Sequence, residues 1–291
     1  MAIDTLGANA LASNSVTSAK IADGAVVAAD VADGSVTTAK LAADAVTAAK
    51  LADNAVVSAN LSAGTIEGSG VNLGRRNLLI NGAMQVQQRG DQTGLTDAYT
   101  GVDRFKFLSN GGSVVTGKQG GAGVSTIANG FPKSLHIQVT TADTSVAAGD
   151  YALVRQFIEG RNLQHLKYGT SSAETVTLSF WVKSSVAQNF YFRLQTADGT
   201  AQNYVMETGS LSADTWTKIT KTIPGNSNLQ FDNNVNQGVA IEWIIFRGTD
   251  TTGSVSLNAW AAYSSSTRSP DNTSTWYTTN DATFEITGVQ L

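Results

Sequence analysis

Residues 16–65 read VTSAKIADGA (16–25), VVAADVADGS (26–35), VTTAKLAADA (36–45), VTAAKLADNA (46–55) and VVSANLSAGT (56–65), and Ile66 opens a decaying sixth copy. A repeat of this kind decides the architecture before any single motif does. Inside the ten-residue period lies a finer one. Branched aliphatics recur at every fifth position: Leu6, Leu11, Val16, Ile21, Val26, Val31, Val36, Leu41, Val46, Leu51, Val56, Leu61, Ile66 and Val71. On a continuous helix a step of five rotates the side chain by about 140°, so no apolar stripe forms. On a continuous strand an odd step throws successive aliphatics to opposite faces. The unit is therefore compound. Ala39–Ala42 (AKLA) is expected to form a helical turn, Asp23-Gly24, Asp33-Gly34 and Asp53-Asn54 the reverse turn, and the Val-Thr or Val-Val pair that follows a short extended piece.

One chain of this pattern has nothing to cover its aliphatics, so identical neighbours must. A fibrous, oligomeric shaft is expected, with Val16, Ile21, Val26, Val31, Val36, Leu41, Val46, Leu51, Val56, Leu61 and Ile66 facing its axis. A disordered Ala-rich linker does not hold one phase over so many steps. Decapeptides of the form SVTTAKLADG resemble the repeat segments of bacteriophage tail fibre proteins, which are commonly homotrimers, and the resemblance implies a trimeric shaft. The second copy departs from the pattern, with Asp30 where Lys20, Lys40 and Lys50 stand.

Composition separates this stretch from the rest. No Phe, Tyr or Trp precedes Tyr99, and Pro132, Pro224 and Pro270 all lie beyond it. Up to Leu73 there are three lysines against seven acids, so the net charge of −4 resides there, and the remainder is balanced. Mild acidity argues against nucleic acid or anionic membrane as partners, both of which call for a basic surface. There is no cysteine, hence no disulfide framework. The opening MAIDTLGANALASNSV lacks the basic and apolar blocks of a signal peptide, and no apolar run reaches the length of a membrane span. Synthesis in a host cytoplasm and final residence in a virion are the expectation.

From Gly74 the pattern becomes alternating strands and polar loops. The strand candidates are 104–108, 134–140, 152–158, 175–183, 190–195, 216–223, 239–246 and 283–291, with period two clearest at Leu178, Phe180 and Val182. Strands so spaced without helical segments indicate a β-sandwich or barrel. NLLINGAM (77–84) and FEITGVQL (284–291) are similar to the opening and closing strands of carbohydrate-binding jelly-roll modules, and TLSFWVKSS (177–185) and DTWTKITKTIPG (214–225) look like central strands of that family. NLLINGAMQVQQRG also resembles segments of phage fibre and appendage proteins. Met84 and Gln85 depart from the Phe and acid usual in the family. The division implied is an attachment segment (1–15), a decapeptide shaft (16–73) and a jelly-roll head (74–291), mainly β throughout.

Catalytic and metal signatures are weak. Residues 112–118 (GSVVTGK) match a phosphate-binding loop until Gln119 replaces the hydroxyl, and Val114-Val115 favour a hairpin. His136 and His165 are isolated, so neither a metal centre nor a Ser–His pair is indicated. No cofactor is implied, and the Asp232-Asn233-Asn234 run is read as a turn before a calcium site. Aromatics are the better signal. Trp181, Trp216 and Trp243 fall mid-strand and read as core. Trp260, Tyr263, Trp276 and Tyr277 flank a polar stretch with Arg268, Asp271 and Asn272, a loop composition suited to stacking on sugars and bonding their hydroxyls. The expected role is a non-enzymatic fibre that holds phage tail or baseplate proteins by its N-terminus and binds host-surface polysaccharide. A depolymerising tailspike and a purely structural spacer are the alternatives.

Overall fold

The computed structural model describes residues 12–42, 45–47, 50–51, 77–121, 130–272 and 275–291. The chain divides into two compact units, Met1–Leu73 and Gly74–Leu291. Among the described residues no helix is long and apolar enough to cross a membrane.

In the first unit the five-residue phase is an alternation of two tight turns. One series closes with Ser15, Ala25, Ser35 and Ala45 N–H donating to the carbonyls of Ala12, Ala22, Ala32 and Ala42, at 3.0–3.1 Å. Its third residue is left-handed: Asn14 (φ 66°), Gly24 (77°) and Gly34 (74°). A type II turn requires this, and Gly adopts it without steric cost. The other series closes with Lys20, Asp30, Lys40 and Lys50 N–H donating to Thr17, Val27, Thr37 and Thr47, each at 2.9 Å. These are single 3-10 turns over Ser18–Lys20, Ala28–Asp30 and Thr38–Lys40. The helical turn thus ends at Lys40 rather than spanning Ala39–Ala42. Each aliphatic follows a turn, and Ile21 and Val31 have extended backbones.

The lysines have a structural task. Lys20, Lys40 and Lys50 Nζ donate to the carbonyls of Ser15, Ser35 and Ala45, five residues upstream, at 2.6, 2.5 and 2.8 Å. Asp30 cannot do this. Its carboxylate instead accepts from Val27 N–H at 2.9 Å, tying down the same turn from its other end, which explains how one decad dispenses with the lysine.

Among the described residues the second unit is a β-sandwich of twelve strands, all paired antiparallel. The seven-stranded sheet has the order β1 (Asp97–Tyr99), β2 (Lys106–Asn110), β5 (Tyr151–Glu159), β10 (Gln237–Arg247), β7 (Asn189–Thr196), β8 (Gln202–Ser210), β11 (Trp260–Ala262). The five-stranded sheet runs β3 (Val114–Gly120), β4 (Ser134–Thr141), β12 (Thr283–Gln290), β6 (Val176–Ser184), β9 (Thr217–Ile223). Alternation places Leu178, Phe180 and Val182 of β6 and Val239, Ile241, Trp243 and Ile245 of β10 in one shared core. Aromatic contacts cross it: Phe180 meets Phe192 and Trp243 edge-on at 5.0 and 5.7 Å, and Phe190 meets Phe284 at 5.0 Å. The eight expected strands all exist. Short β1 and β11, the polar β8, and β3, whose glycines obscure its alternation, escaped the period-two reading.

NLLINGAM is not a strand. Residues 79–83 form turns, with left-handed Asn81 and Met84 (φ 60° and 57°). It still lies against the closing strand: Leu78 N–H donates to Leu291 O (3.1 Å) and Val289 N–H to Gly82 O (2.9 Å). Asn77 Nδ2 donates to Val289 O at 2.9 Å. A Cβ on Gly82 would lie 2.0 Å from that same carbonyl, so the approach requires glycine. Buried Gln156 of β5 completes the docking, exchanging two hydrogen bonds with the Ile80 backbone (2.9 and 3.0 Å).

Candidate functional site

The loop cluster expected to meet a ligand separates into three environments. Trp276 and Tyr277 are fully buried core residues. Tyr277 stacks on Phe246 at 4.8 Å and donates its hydroxyl to Asn110 O at 2.9 Å. Neither ring offers a face to a sugar, which corrects that part of the expectation. The reason is physical: two large rings beside the last strand are worth more to the core than to solvent. Trp260, on edge strand β11, packs edge-on against Tyr204 and Tyr168 (5.1 and 6.4 Å) and donates Nε1–H to Pro224 O (2.8 Å). It pins the sheet edge.

Tyr263, Arg268, Asp271 and Asn272 lie in the segment that follows β10. This segment folds back on itself, with Arg268 N–H donating to Thr251 O at 2.8 Å, and Asn272 Nδ2 ties it to Ile245 O at 3.2 Å. The Tyr263 ring lies 5.5 Å from the Arg193 guanidinium and 5.9 Å from that of Arg268. Asp271 and Asn272 line two neighbouring recesses of about 310 and 410 Å³, one beside Ala147, Arg247 and Thr249, the other beside Gln188 and Tyr191.

Beneath this segment the outer face of the seven-stranded sheet is organised by Glu242. Cross-strand register sets Arg155 on one side of it and Arg193 on the other. Glu242 is fully buried; Arg193 Nε donates to it at 2.6 Å and Arg155 Nε at 2.7 Å, while Arg247 Nη2 stands 3.7 Å away. Burial alone would push the Glu242 carboxyl up. The guanidiniums of Arg193, Arg155 and Arg247 outweigh it and hold the group at about 2. Burial, with Arg193 nearby, lowers Arg247 to about 10. Arg193 also reaches Gln195 and Asn203. The network is structural: every oxygen of Glu242 is engaged and the group is sealed from solvent. A lone acid in GVAIEWIIF was the legible sign that partners had to exist.

The same cross-strand row continues past Arg155 to Lys106 and Tyr99. Here the sheet is open. A groove of about 200 Å³ is lined by Tyr99, Arg104, Lys106, Arg155, Phe157 and Gln237, among others. Tyr99 is 44% and Phe157 40% exposed, well beyond what core aromatics show. Arg89 lies over Tyr99 at 5.1 Å and Arg155 over Phe157 at 5.2 Å. Exposed aromatics beside guanidinium and amide donors can receive a sugar ring and its hydroxyls. Sequence reasoning passed over this groove. The available signal was Phe157, standing at the polar parity of β5 with Arg155 and Glu159.

Among the described residues no three His, Asp or Glu side chains gather as metal ligands. Asp232 N–H donates to Asp198 Oδ2 (2.9 Å), far upstream in sequence. His136 lies 3.4 Å from Glu285. Of the shaft aliphatics, Val16, Ile21, Val26, Val31, Val36, Leu41, Val46 and Leu51 are all exposed in the single chain; Val56, Leu61 and Ile66 lie outside the described residues.

No protein-family model matches the sequence, and no curated protein matches it. Among solved structures, the enzymatically active domain of tailspike protein 4 of bacteriophage CBA120 overlaps 74% of this chain at 13% identity and a TM-score of 0.41. The chain spans only 21% of that tailspike chain. A family 4 carbohydrate-binding module aligns over 72% of this chain and 96% of its own, at 15% identity and TM-score 0.32. The family 11 carbohydrate-binding module of a Clostridium thermocellum cellulase aligns over 69% and 94%, at 14% identity and TM-score 0.31. At these scores the functional reading rests on the chain's own residues.

Proposed function

We propose that this chain is a phage tail fibre: residues 1–15 hold it to tail or baseplate proteins, the decad shaft assembles with two further copies, and the head binds host-surface polysaccharide without cleaving it. The observation that supports glycan binding is the Tyr99–Phe157 groove, two exposed rings on one sheet face beside Arg104, Lys106, Arg155 and Gln237. Asp271 and Asn272 supply a second, polar set of contacts at the recesses they share. The observation that supports assembly is the shaft's ladder of exposed aliphatics.

Stacking on one ring is worth about 0.5–1.5 kcal/mol, taking aromatic pairs as the guide. One site is weak, and three on a common stalk gain through effective concentration. Tyr99→Ala with Phe157→Ala is expected to lower cell binding by the trimer about tenfold or more, with little change in Tm because neither ring fills the core. Trp276→Ala should do the opposite. Emptying that buried site costs about 3–5 kcal/mol, or roughly 10 °C for a unit of this size, while the folded fraction binds as before. The readouts are cell binding, before and after stripping surface polysaccharide, and thermal melting of each variant. Full cell binding by the groove variant, or shortened polysaccharide chains after incubation, would overturn the reading.

A further inference from the structure

The outer face of the five-stranded sheet is a second surface, and its charges are sorted differently. Strands of the seven-stranded sheet hold four basic residues (Lys106, Arg155, Arg193, Arg247) and four acids (Asp97, Glu159, Glu207, Glu242). Strands of the five-stranded sheet hold Lys118, Lys183, Lys218 and Lys221 against Glu285 alone. The chain's net acidity conceals this.

Register places the groups together. One row runs Lys118, His136, Glu285, Lys183 across β3, β4, β12 and β6. The next carries Thr287, Trp181 and Lys218. Trp216 adjoins, with Lys183 Nζ 5.2 Å from its ring centre. Ser179 and Thr220 continue the same parity. Trp181 and Trp216 are therefore not core, unlike Trp243; both are half-buried on this face, each leaving part of its indole to solvent. The one acid is consumed internally: Glu285 is 8% exposed and held by Lys183 (2.8 Å), Ser134 Oγ (2.7 Å) and His136 (3.4 Å). Among the described residues Lys118 and Lys218 have no ion-pair partner.

We propose that this face binds an acidic polysaccharide, its sugar rings on Trp181 and Trp216 and its carboxylates beside Lys118 and Lys218. The inference rests on the reading of the head as a polysaccharide binder, and adds a second surface and the charge of the ligand. Three features select this occupant. The surface is the outer face of a sheet, which suits an extended polymer rather than a small molecule. The indoles offer apolar faces of the kind sugar rings stack upon. The cations are lysines, single point charges fit for spaced carboxylates, and these strands carry no arginine, the residue that grips phosphate bidentately.

The test uses the full-length protein on immobilised alginate, polygalacturonate and hyaluronate, with dextran, poly-L-glutamate and duplex DNA as comparators. At least one acidic polysaccharide is expected to bind, and dextran is not. Polyglutamate, charged but lacking ring faces, and DNA should bind at least tenfold more weakly. Lys118→Glu with Lys218→Glu should abolish retention, and the neutral pair Lys118→Gln with Lys218→Gln should weaken it about tenfold. Trp216→Ala should weaken it several-fold. Raising salt from about 50 to 300 mM should reduce it, since surface charge pairs are screened over a few ångströms at the higher value. Lys167→Glu, at an exposed pair with Glu174 that belongs to neither surface, should leave it unchanged. Absence of binding to all three acidic polymers overturns the proposal, as does equal binding of polyglutamate or DNA, or retention by the Gln pair at full strength. Loss of cell binding in the Tyr99/Phe157 variant with alginate binding intact separates this surface from the groove.

Discussion

Val36→Asp combined with Val46→Asp is expected to convert the trimer to monomers while leaving the head folded. Val36 and Val46 are 57% and 53% exposed in the single chain. In a three-chain shaft each substitution places three carboxylates at one level of the axis. Burying a charge without a partner costs several kcal/mol, and like charges at one level add to it. Against the modest gain from each aliphatic, about 1.5–3 kcal/mol when fully buried, two such levels suffice to undo assembly. Sedimentation of the variant and of the parent at micromolar concentration is the measurement. β-Sheet circular dichroism and the melting of the second unit should be nearly unchanged, because its core draws on residues from Leu79 onward. A parent that sediments as a stable folded monomer, or a variant that remains trimeric, removes the shaft from the proposed function.

Glu242→Gln is expected to destabilise the head by about 3–5 kcal/mol, as removal of one partner from a buried charge network does. Gln keeps the shape but loses the charge that balances Arg155, Arg193 and Arg247, and turns an N–H₂ group toward at least one guanidinium. For a unit of this size the expected fall in Tm is roughly 10 °C. Glu159→Gln is the contrast: its pair with Arg161 (2.9 Å) lies at the surface, and the expected loss is under about 1 kcal/mol. The pH dependence follows from the same charge. Glu242 and Glu285 have folded-state values near 2, against an ordinary value of 4.5. In Glu285, too, burial works upward and is overcome, there by His136, Lys183 and Ser134. A depressed carboxyl contributes stability that is present above its unfolded value and is lost as pH falls through the folded one. The head should therefore hold its Tm down to about pH 5 and lose it progressively toward pH 2, and Glu242→Gln should flatten that descent. An unchanged acid limb in the variant would contradict the assignment.

How much of this was legible depended on whether local pattern or tertiary context decided the matter. The decad phase, the alternation of β6 and the apolar run of β10 are local, and each appears where its sequence placed it. The left-handed turns were legible too, because Asp-Gly has few other uses. Tertiary context decided the rest. Trp276 and Tyr277 carry the composition of a binding loop, yet both are fully buried and Tyr277 meets Phe246 and Asn110, distant in sequence, which no short window reveals. Trp181, within β6, and Trp216, just before β9, show the converse: tryptophans half-exposed on the outer face, beside lysines whose parity already pointed to solvent. NLLINGAM has the apolar run of a strand, but Asn81 and Met84 turn left-handed and its hydrogen bonds go to Val289, Leu291 and Gln156, more than seventy residues away in sequence. The groove beside Phe157 arises from the order in which β1, β2 and β5 lie side by side, and pairing order is not written in any one strand.

The alternation of two turn types has a consequence for how such a stalk can change its reach. Inserting five residues would put an alanine where a left-handed glycine belongs, and an alanine or serine where the lysine stands. Inserting ten restores both. Reach is thus a quantised trait, lengthened or shortened by whole decads with the chemistry of every remaining layer untouched. A lineage can change the length of the repeat by a single in-frame duplication, with no change to any residue of the second unit.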